Sequence, residues 1–255
     1  MADGHRDARG LAGAWVHHQC HGQAAPAADL ATWVERYWTV EWAYAVPYRQ
    51  VVVPYPQVHV TVRPGRAPVV SGVASRATVR ELAGSDRIVG AAFRPGTFRA
   101  LLDGPVSGLT DRQVDAADVP GLTGRPGAPV DVAALETWLR ALLPAGGPAR
   151  DGAEAGEVVA LAAADRALTR VDQLATAAGT GVRRLQRLFA EHVGVGPKWV
   201  LRRYRLCEVT ERIATGERID WAGLAADLGY ADQAHLVRDF AALFGEPPTR
   251  WASRY

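Results

Sequence analysis

A cluster of arginine and glutamine side chains near the C-terminus has the clearest capacity for chemistry. Its members are Arg183, Arg184, Gln186 and Arg187, and they alternate with apolar residues at 185, 188 and 189 in a helical pattern. An arginine can donate two parallel hydrogen bonds to O6 and N7 of guanine, and a glutamine can pair with adenine in the same way. The pattern therefore predicts a recognition helix that reads base edges; a solvated helix face is the alternative.

The same division recurs further along the chain. Outward positions hold Gln233, His235 and Arg238, whereas Leu236, Phe240 and Leu243 share the inner face. Asp232 precedes this segment, where its carboxylate can accept hydrogen bonds from free backbone N–H groups. In each unit a glycine, Gly179 or Gly229, stands between this helix and a shorter apolar one. The sequence thus predicts two helix-turn-helix units.

A long helix is predicted between the two units. Pro197 is a good first-turn residue, and the helical pattern continues to Ala214, a length of roughly 27 Å at 1.5 Å per residue. Such a rod can hold two recognition helices near the ~34 Å repeat of the major groove. Its Arg202 and Arg203, together with Arg212, are predicted to contact DNA phosphates.

At these residues the chain resembles the AraC/XylS family of bacterial regulators, over about residues 166–255. The landmarks are Leu185–Phe189, Gly194–Pro197, Arg205-Leu206, Leu224-Ala225, Leu228–Tyr230, Asp232-Gln233, Phe240, Phe244-Gly245, Pro248 and Trp251. The resemblance implies a seven-helix bundle whose two helix-turn-helix units are joined by a linker helix. It places the base-reading positions on the two outward sets above and on Ala234. Three positions depart from the family pattern. Gly181 replaces the usual serine cap, although Thr180 could serve; Val209 replaces a small alanine; and Ala234 lacks a polar head.

The amino-acid composition is that of a folded globular protein with one or two domains. Apolar residues make up 48% of the 255 residues and charged residues 22%. We find no apolar run of the ~18 residues that a membrane span needs and no signal-peptide pattern, so we expect a cytoplasmic protein without membrane contact. Residues 166–255 carry 14 basic and 10 acidic side chains against 15 and 17 in the rest, which modestly favours nucleic-acid contact at the C-terminal end.

The N-terminal half reads as short strands. Alternation is nearly strict over residues 58–63, and further strands are predicted at 51–53, 68–73, 77–82 and 88–93, with helices at 30–38, 96–102 and 131–143. We therefore predict an α+β protein that consists of a small β-barrel or sandwich with flanking helices and an all-α C-terminal bundle. The predicted divisions are a partly flexible segment (1–29), a sensing or dimerisation domain (30–143), a linker (144–165) and a DNA-binding domain (166–255).

A small-molecule effector is expected to bind the N-terminal domain. Tyr37–Trp42, the strand pair ending near Val62, and Ala92–Gly96 with the short helix after it resemble, more weakly, the uncharacterised N-terminal domains fused to such regulators in actinobacteria. This resemblance implies ligand sensing or dimerisation, commonly in a cupin-like β-barrel. The dense aromatic residues of this half suit an effector pocket, although most such rings would be ordinary core. The candidate effector residues are Trp38, Trp42, Tyr44, His59 and Arg94. Arg94 can instead pair with Glu41 or cap a loop.

Other functions are less well supported. The cluster His17, His18, Cys20 and His21 has metal-binding side chains, but adjacent ligands chelate poorly alone, and we expect neither metal nor cofactor. Nucleophile-elbow, Walker A and dinucleotide motifs are missing, so we expect no enzyme. A module that binds RNA or another protein is the remaining alternative, although single-strand RNA readers usually expose stacking aromatics. The expected partners are duplex DNA, RNA polymerase if the protein activates, an effector and a second copy of the chain.

Overall fold

The computed structural model describes residues 18–215 and 218–253, and an antiparallel sheet forms its N-terminal part. The strands are β1 (Gln19–Ala24), β2 (Val34–Val52), β3 (His59–Val62), β4 (Val69–Ser71), β5 (Thr78–Phe93) and β6 (Gln113–Asp115). They pair in the order β1-β2-β5-β3-β4-β6. No pairing among the described residues joins β1 to β6, so the barrel-like domain is an open sheet. Together with the helices below, it confirms the α+β class.

Strand β2 bends sharply in its middle. The side-chain nitrogen Nε2 of Gln19 donates hydrogen bonds to the Tyr44 hydroxyl at 2.7 Å and to Oε1 of Gln50 at 3.1 Å. In a straight strand, residues 44 and 50 would lie roughly 20 Å apart. The bend coincides with a break in register between Tyr44 and Tyr48, opposite Gly84, whose φ of 61° suits glycine.

Two sequence expectations for this domain are corrected. No helix forms over residues 30–38, because residues 28–33 form a turn and β2 begins at Val34. The β-branched and aromatic residues of this segment pair with β1 and β5 instead, where they fit the pleated surface. The predicted strands 77–82 and 88–93 are halves of the single strand β5.

The sheet covers its own apolar core. Trp33, Tyr37 and Phe93 are almost fully buried there, and Trp138 of α1 (Val132–Leu142) closes one side. Asp131 caps that helix by accepting a hydrogen bond from the Ala134 N–H at 2.8 Å, so the helix predicted at 131–143 is confirmed. The stretch predicted as helical at 96–102 is a 3₁₀ helix over Phe98–Leu101.

Helices make up the rest of the described chain. They are α2 (Arg150–Ala164), α3 (Val171–Ala177), α4 (Val182–His192), α5 (Pro197–Ala214), α6 (Trp221–Asp227), α7 (Gln233–Phe244) and α8 (Pro248–Ala252). The long helix thus begins and ends at the predicted residues. Helix α2 lies inside the stretch 144–165 that the sequence predicted as a linker, and it packs on α4 and α5. No helix of the described chain is long and apolar enough to cross a membrane.

Two helical cores flank α5, and each includes one residue from the sheet domain. The first joins α2, α3, α4 and the start of α5, and Val73 completes it. The second joins the end of α5 to α6, α7 and α8, and Val53 completes it. The sheet domain therefore packs against both helix-turn-helix units.

Directed hydrogen bonds reinforce this packing. The Trp199 indole N–H donates to the Ser75 carbonyl at 2.7 Å, and the Ala77 N–H donates to the Ala242 carbonyl at 3.1 Å. Thr110 donates to the carbonyl of Gly194 just after α4. These bonds tie the sheet domain to α5, to α7 and to the loop after α4.

Candidate nucleic-acid interface

The first helix-turn-helix unit consists of α3 and α4. Gly179 between them has a φ of 63°, the left-handed backbone that such a turn needs and that glycine adopts without strain. Leu185, Leu188 and Phe189 of α4 are buried against α2, α3 and α5, as the periodicity predicted. This anchoring leaves the opposite side of α4 at the surface.

The four predicted base-reading residues of α4 are all exposed. Arg183 and Arg187 form no ion pair with any residue of the described ranges, so both guanidinium groups are available to a ligand. Arg184 differs, because its Nη2 lies 2.8 Å from Glu154 Oε2 and 3.9 Å from Asp151 Oδ1. The hydrogen bond from Arg184 lowers the pKa of the Glu154 carboxyl. Glu154 therefore competes for Arg184 with any anionic or base ligand.

The second unit repeats this arrangement. Helices α6 and α7 flank Gly229, whose φ is 69°. Gln233, His235 and Arg238 are exposed on α7, while Leu236 and Phe240 are buried. The His235 ring packs edge-on against Tyr230 with 5.0 Å between ring centroids.

Only the second recognition helix has a side-chain cap. Asp232 accepts a hydrogen bond from the His235 N–H at 2.7 Å, which confirms the predicted N-cap. Gly181 occupies the same position on α4, and no side chain caps that helix, so Thr180 does not take the role.

We predict that Asp232→Ala lowers the free energy of unfolding by about 1 kcal/mol, because it removes a partner from a free N–H group. Asp232→Asn keeps an acceptor and should lose little. Gly181→Ser should gain a few tenths of a kcal/mol, since its φ of −87° suits an L-residue and a Cβ there meets nothing within 4 Å. Urea denaturation of the three variants checks these values. Equal midpoints for Asp232→Ala and Asp232→Asn would contradict the capping role.

Helix α5 connects the two units, and its arginines differ in environment. The Arg202 side chain is about one-third exposed and lies 3.4 Å from Asp239 Oδ1 on α7. Arg203 is only 2% exposed and donates to the Pro54 carbonyl of the sheet domain at 2.6 Å. The prediction that Arg203 contacts a DNA phosphate is therefore not retained, because its guanidinium does not reach the surface.

The predicted effector residues do not converge on one pocket. The Trp38 indole N–H points to Nδ1 of His59 at 3.2 Å, and Trp42 donates to the Ala83 carbonyl. Tyr44 is buried in the bend of β2. Arg94 is exposed and donates to the Ala31 carbonyl at 2.6 Å, which is a loop-capping contact rather than an ion pair with Glu41.

The histidine–cysteine cluster offers no assembled metal site in the described part of the chain. His17 lies outside the described residues. Nε2 of His21 is 2.9 Å from Oε1 of Gln19, and Cys20 is exposed at the outer strand β1. In residues 18–215 and 218–253, no three His, Cys, Asp or Glu side chains come together to hold a metal ion.

Sequence reasoning missed the hydrogen-bond and ion-pair partners of Arg184, Arg202 and Arg203. Glu154 lies 30 residues before Arg184, and Asp239 lies 37 residues after Arg202. One available signal was the spacing of Asp151 and Glu154 on a single face of a helix. Nothing local indicated that Pro54 would accept a hydrogen bond from Arg203.

Comparison with known families divides the chain in two. Residues 22–115 match a domain of unknown function (DUF6597), and residues 174–254 match a helix-turn-helix domain. A search among curated proteins finds no match.

Solved structures resemble the chain only distantly. A 1.65 Å structure of ToxT from Vibrio cholerae is 8% identical with a TM-score of 0.41, over 93% of this chain and 98% of that one. Unsaturated fatty acid-bound ToxT from the same organism is 11% identical with a TM-score of 0.39, over 92% and 94% of the two chains.

Proposed function

From the premise that residues 174–254 form an AraC-type helix-turn-helix domain, we propose that the protein is a sequence-specific DNA-binding transcription regulator. One observation carries the proposal. The helices α4 and α7 each bury an apolar face and expose arginine and glutamine on the other, and α5 connects them. This is the division of a recognition helix, made twice in one domain.

The length of the helix that connects the two recognition helices suits one face of a DNA duplex. Helix α5 has 18 residues, so its length is roughly 27 Å, close to the ~34 Å between successive major-groove segments. Packing on both sides of α5 keeps the two units in a defined relation. Both recognition helices can therefore enter the major groove of one operator.

Base reading and phosphate binding are assigned to different side chains. Arg187 and Arg238 are exposed with no ion pair in the described chain, so each can form the bidentate hydrogen bonds that identify guanine. Gln186 and Gln233 can read adenine. Arg202 and Arg212 on α5 are the candidates for phosphate contacts, which supply affinity and its salt dependence.

The N-terminal domain is assigned the regulatory role. It would bind a small molecule or pair two copies of the chain in the cytoplasm, with RNA polymerase as a further partner of an activator. We assign no catalytic step to either domain. The domain limits stay as predicted above, except that α2 packs as part of the helical bundle.

Releasing Arg184 should strengthen DNA binding. Glu154→Gln removes the ion pair that holds this guanidinium beside the base-reading surface. Because exposed ion pairs contribute about 0.2–1 kcal/mol, the gain should be at most about fivefold in Kd. Fluorescence anisotropy with operator DNA measures it. The control is Glu157→Gln, which makes the same charge change at an exposed position of α2. An equal gain from both variants would attribute the effect to net charge alone.

Selection of binding sites from random duplex DNA tests the proposal. We expect an enriched site with two contacted segments about one helical turn apart. Titration at several salt concentrations should give a log–log slope near −0.9 for each phosphate contacted. A parallel selection from random single-stranded RNA is the control. Enrichment from the RNA pool alone, or from neither pool when small carboxylates are present as candidate effectors, would overturn the proposal in favour of an RNA-binding or protein-binding module.

A further inference from the structure

A cavity of about 260 Å³ lies where the sheet domain meets the helical bundle. Residues from the loop after β2, from α2 and the residues after it, and from α5 and α7 surround it. They are Tyr55, Ala163, Arg166, Arg203, Tyr204, Cys207, Thr210, Glu211 and Phe244. A water molecule occupies about 30 Å³ in the liquid, so the space suits a small organic molecule. None of the residues that the sequence predicted for effector binding lines this cavity.

Arg203 is the unusual member of this lining. Its guanidinium is buried between the rings of Tyr55 and Phe244, at 4.2 and 5.4 Å from their centroids. Its hydrogen-bond acceptors are the Pro54 carbonyl and the sulfur of Cys207, which are both neutral. No carboxylate of the described residues lies within 4.0 Å of it. A buried charge without a counter-ion is costly, and an anion in the adjoining cavity would offset that cost.

The remaining polar groups of the lining favour a single negative charge. Among the lining residues, Arg166 and Arg203 are positive and Glu211 is negative, and Arg166 pairs with Glu211 at 2.6 Å, so the charge of Arg203 is left in excess. Glu208 lies outside the lining, 3.5 Å from Arg166, and is shared with Arg212 at 3.1 Å. Burial raises the pKa of Tyr204 to about 12, and burial also raises the pKa of Cys207. Both side chains are therefore neutral hydrogen-bond donors near pH 7.

We propose that this cavity binds a small organic monocarboxylate. The carboxylate would receive hydrogen bonds from the Arg203 guanidinium, whose planar fork matches it. The apolar body of the ligand would lie against Tyr55 and Phe244.

Occupancy of the cavity would act on the second recognition helix and on the helix that connects the two units. Tyr55 belongs to the sheet domain, Arg203 to α5 and Phe244 to α7, so one ligand contacts the sensing domain, the connecting helix and the second unit. A carboxylate on Arg203 competes with the Pro54 carbonyl for the guanidinium and so changes the contact between the domains. This regulatory consequence rests on the proposed function, whereas binding itself does not.

Protection of Cys207 from a thiol reagent tests the site. The chain has two cysteines; Cys207 lines the cavity and Cys20 is exposed on β1. The full-length protein is treated with methyl methanethiosulfonate, with and without butyrate, hexanoate, benzoate or phenylacetate, and each carboxylate is compared with its neutral amide. Modification of each cysteine is followed by mass spectrometry. At about ten times its Kd, a binding carboxylate should slow Cys207 modification roughly tenfold and leave Cys20 unchanged.

Each result decides the proposal. The amides should protect Cys207 poorly, and Arg203→Gln should abolish the protection. If Arg203→Gln does not fold, Arg203→Lys takes its place, because it keeps the positive charge but lacks the planar fork of donors. The same panel should raise the Tm of the parent protein, and this readout does not depend on the reactivity of Cys207. The proposal is wrong if no carboxylate up to about 10 mM, enough to detect millimolar Kd values, has either effect, or if the amides act equally. Site selection on DNA is scored separately, so a failed ligand test leaves the DNA result intact.

Discussion

Arg187→Ala is expected to weaken operator binding by about 1–3 kcal/mol, which is roughly 5- to 150-fold in Kd. The exposed guanidinium has no ion pair with a described residue, so little is lost from the folded protein itself. The loss should fall on one base position, where preference for guanine disappears. Competition titrations against operators mutated at each position measure both effects.

Two variants separate base reading from charge. Arg187→Lys keeps the positive charge but cannot donate two parallel hydrogen bonds, so it should lose specificity with little change in the salt slope. Arg125→Ala removes the same charge from an exposed loop of the sheet domain and should leave Kd within about twofold. If Arg187→Ala weakened all DNA sequences equally, Arg187 would be a phosphate contact instead.

Phe240→Ala is expected to have the largest effect on stability. The ring is fully buried in the core of the second unit, stacked on Phe244 at 4.3 Å and edge-on to Trp251 at 6.0 Å. Truncation of such a ring leaves a cavity and costs about 3–5 kcal/mol. Because domains are typically stable by only 5–15 kcal/mol, the second unit should partly unfold. Urea denaturation measures the loss, and footprinting should show that contact at one of the two operator segments disappears.

The control for Phe240→Ala is a truncation at an exposed position. Val46 is 75% exposed at the bend of β2, so Val46→Ala should change stability by less than about 0.5 kcal/mol. Phe189→Ala, which opens the core of the first unit, should remove contact at the other operator segment. If both core variants abolished contact at both segments, the two units would fold as one body rather than as the separate cores described above.

Local sequence determined the helical half of this protein. Apolar spacing identified the buried faces of α4 and α7, Asp232 marked the start of α7, and Pro197 marked the start of α5. All of these signals act within one or two turns of a helix, through hydrogen bonds and side chains three or four residues apart. The resemblance to AraC/XylS regulators rests on the same residues, and the helix-turn-helix match over 174–254 agrees with it.

Only the tertiary structure decided where long-range partners meet. The bend of β2, the pairing of Arg184 with Glu154 and the burial of Arg203 under Tyr55 all join residues far apart in sequence. An arginine on an amphipathic helix has the same local pattern whether it faces DNA, a carboxylate or another domain. Its role depends on which surface packs over it, and that surface comes from elsewhere in the chain. For this reason the sequence alone indicated two recognition helices, whereas the cavity beside Arg203 became visible only when the sheet domain was packed against α5.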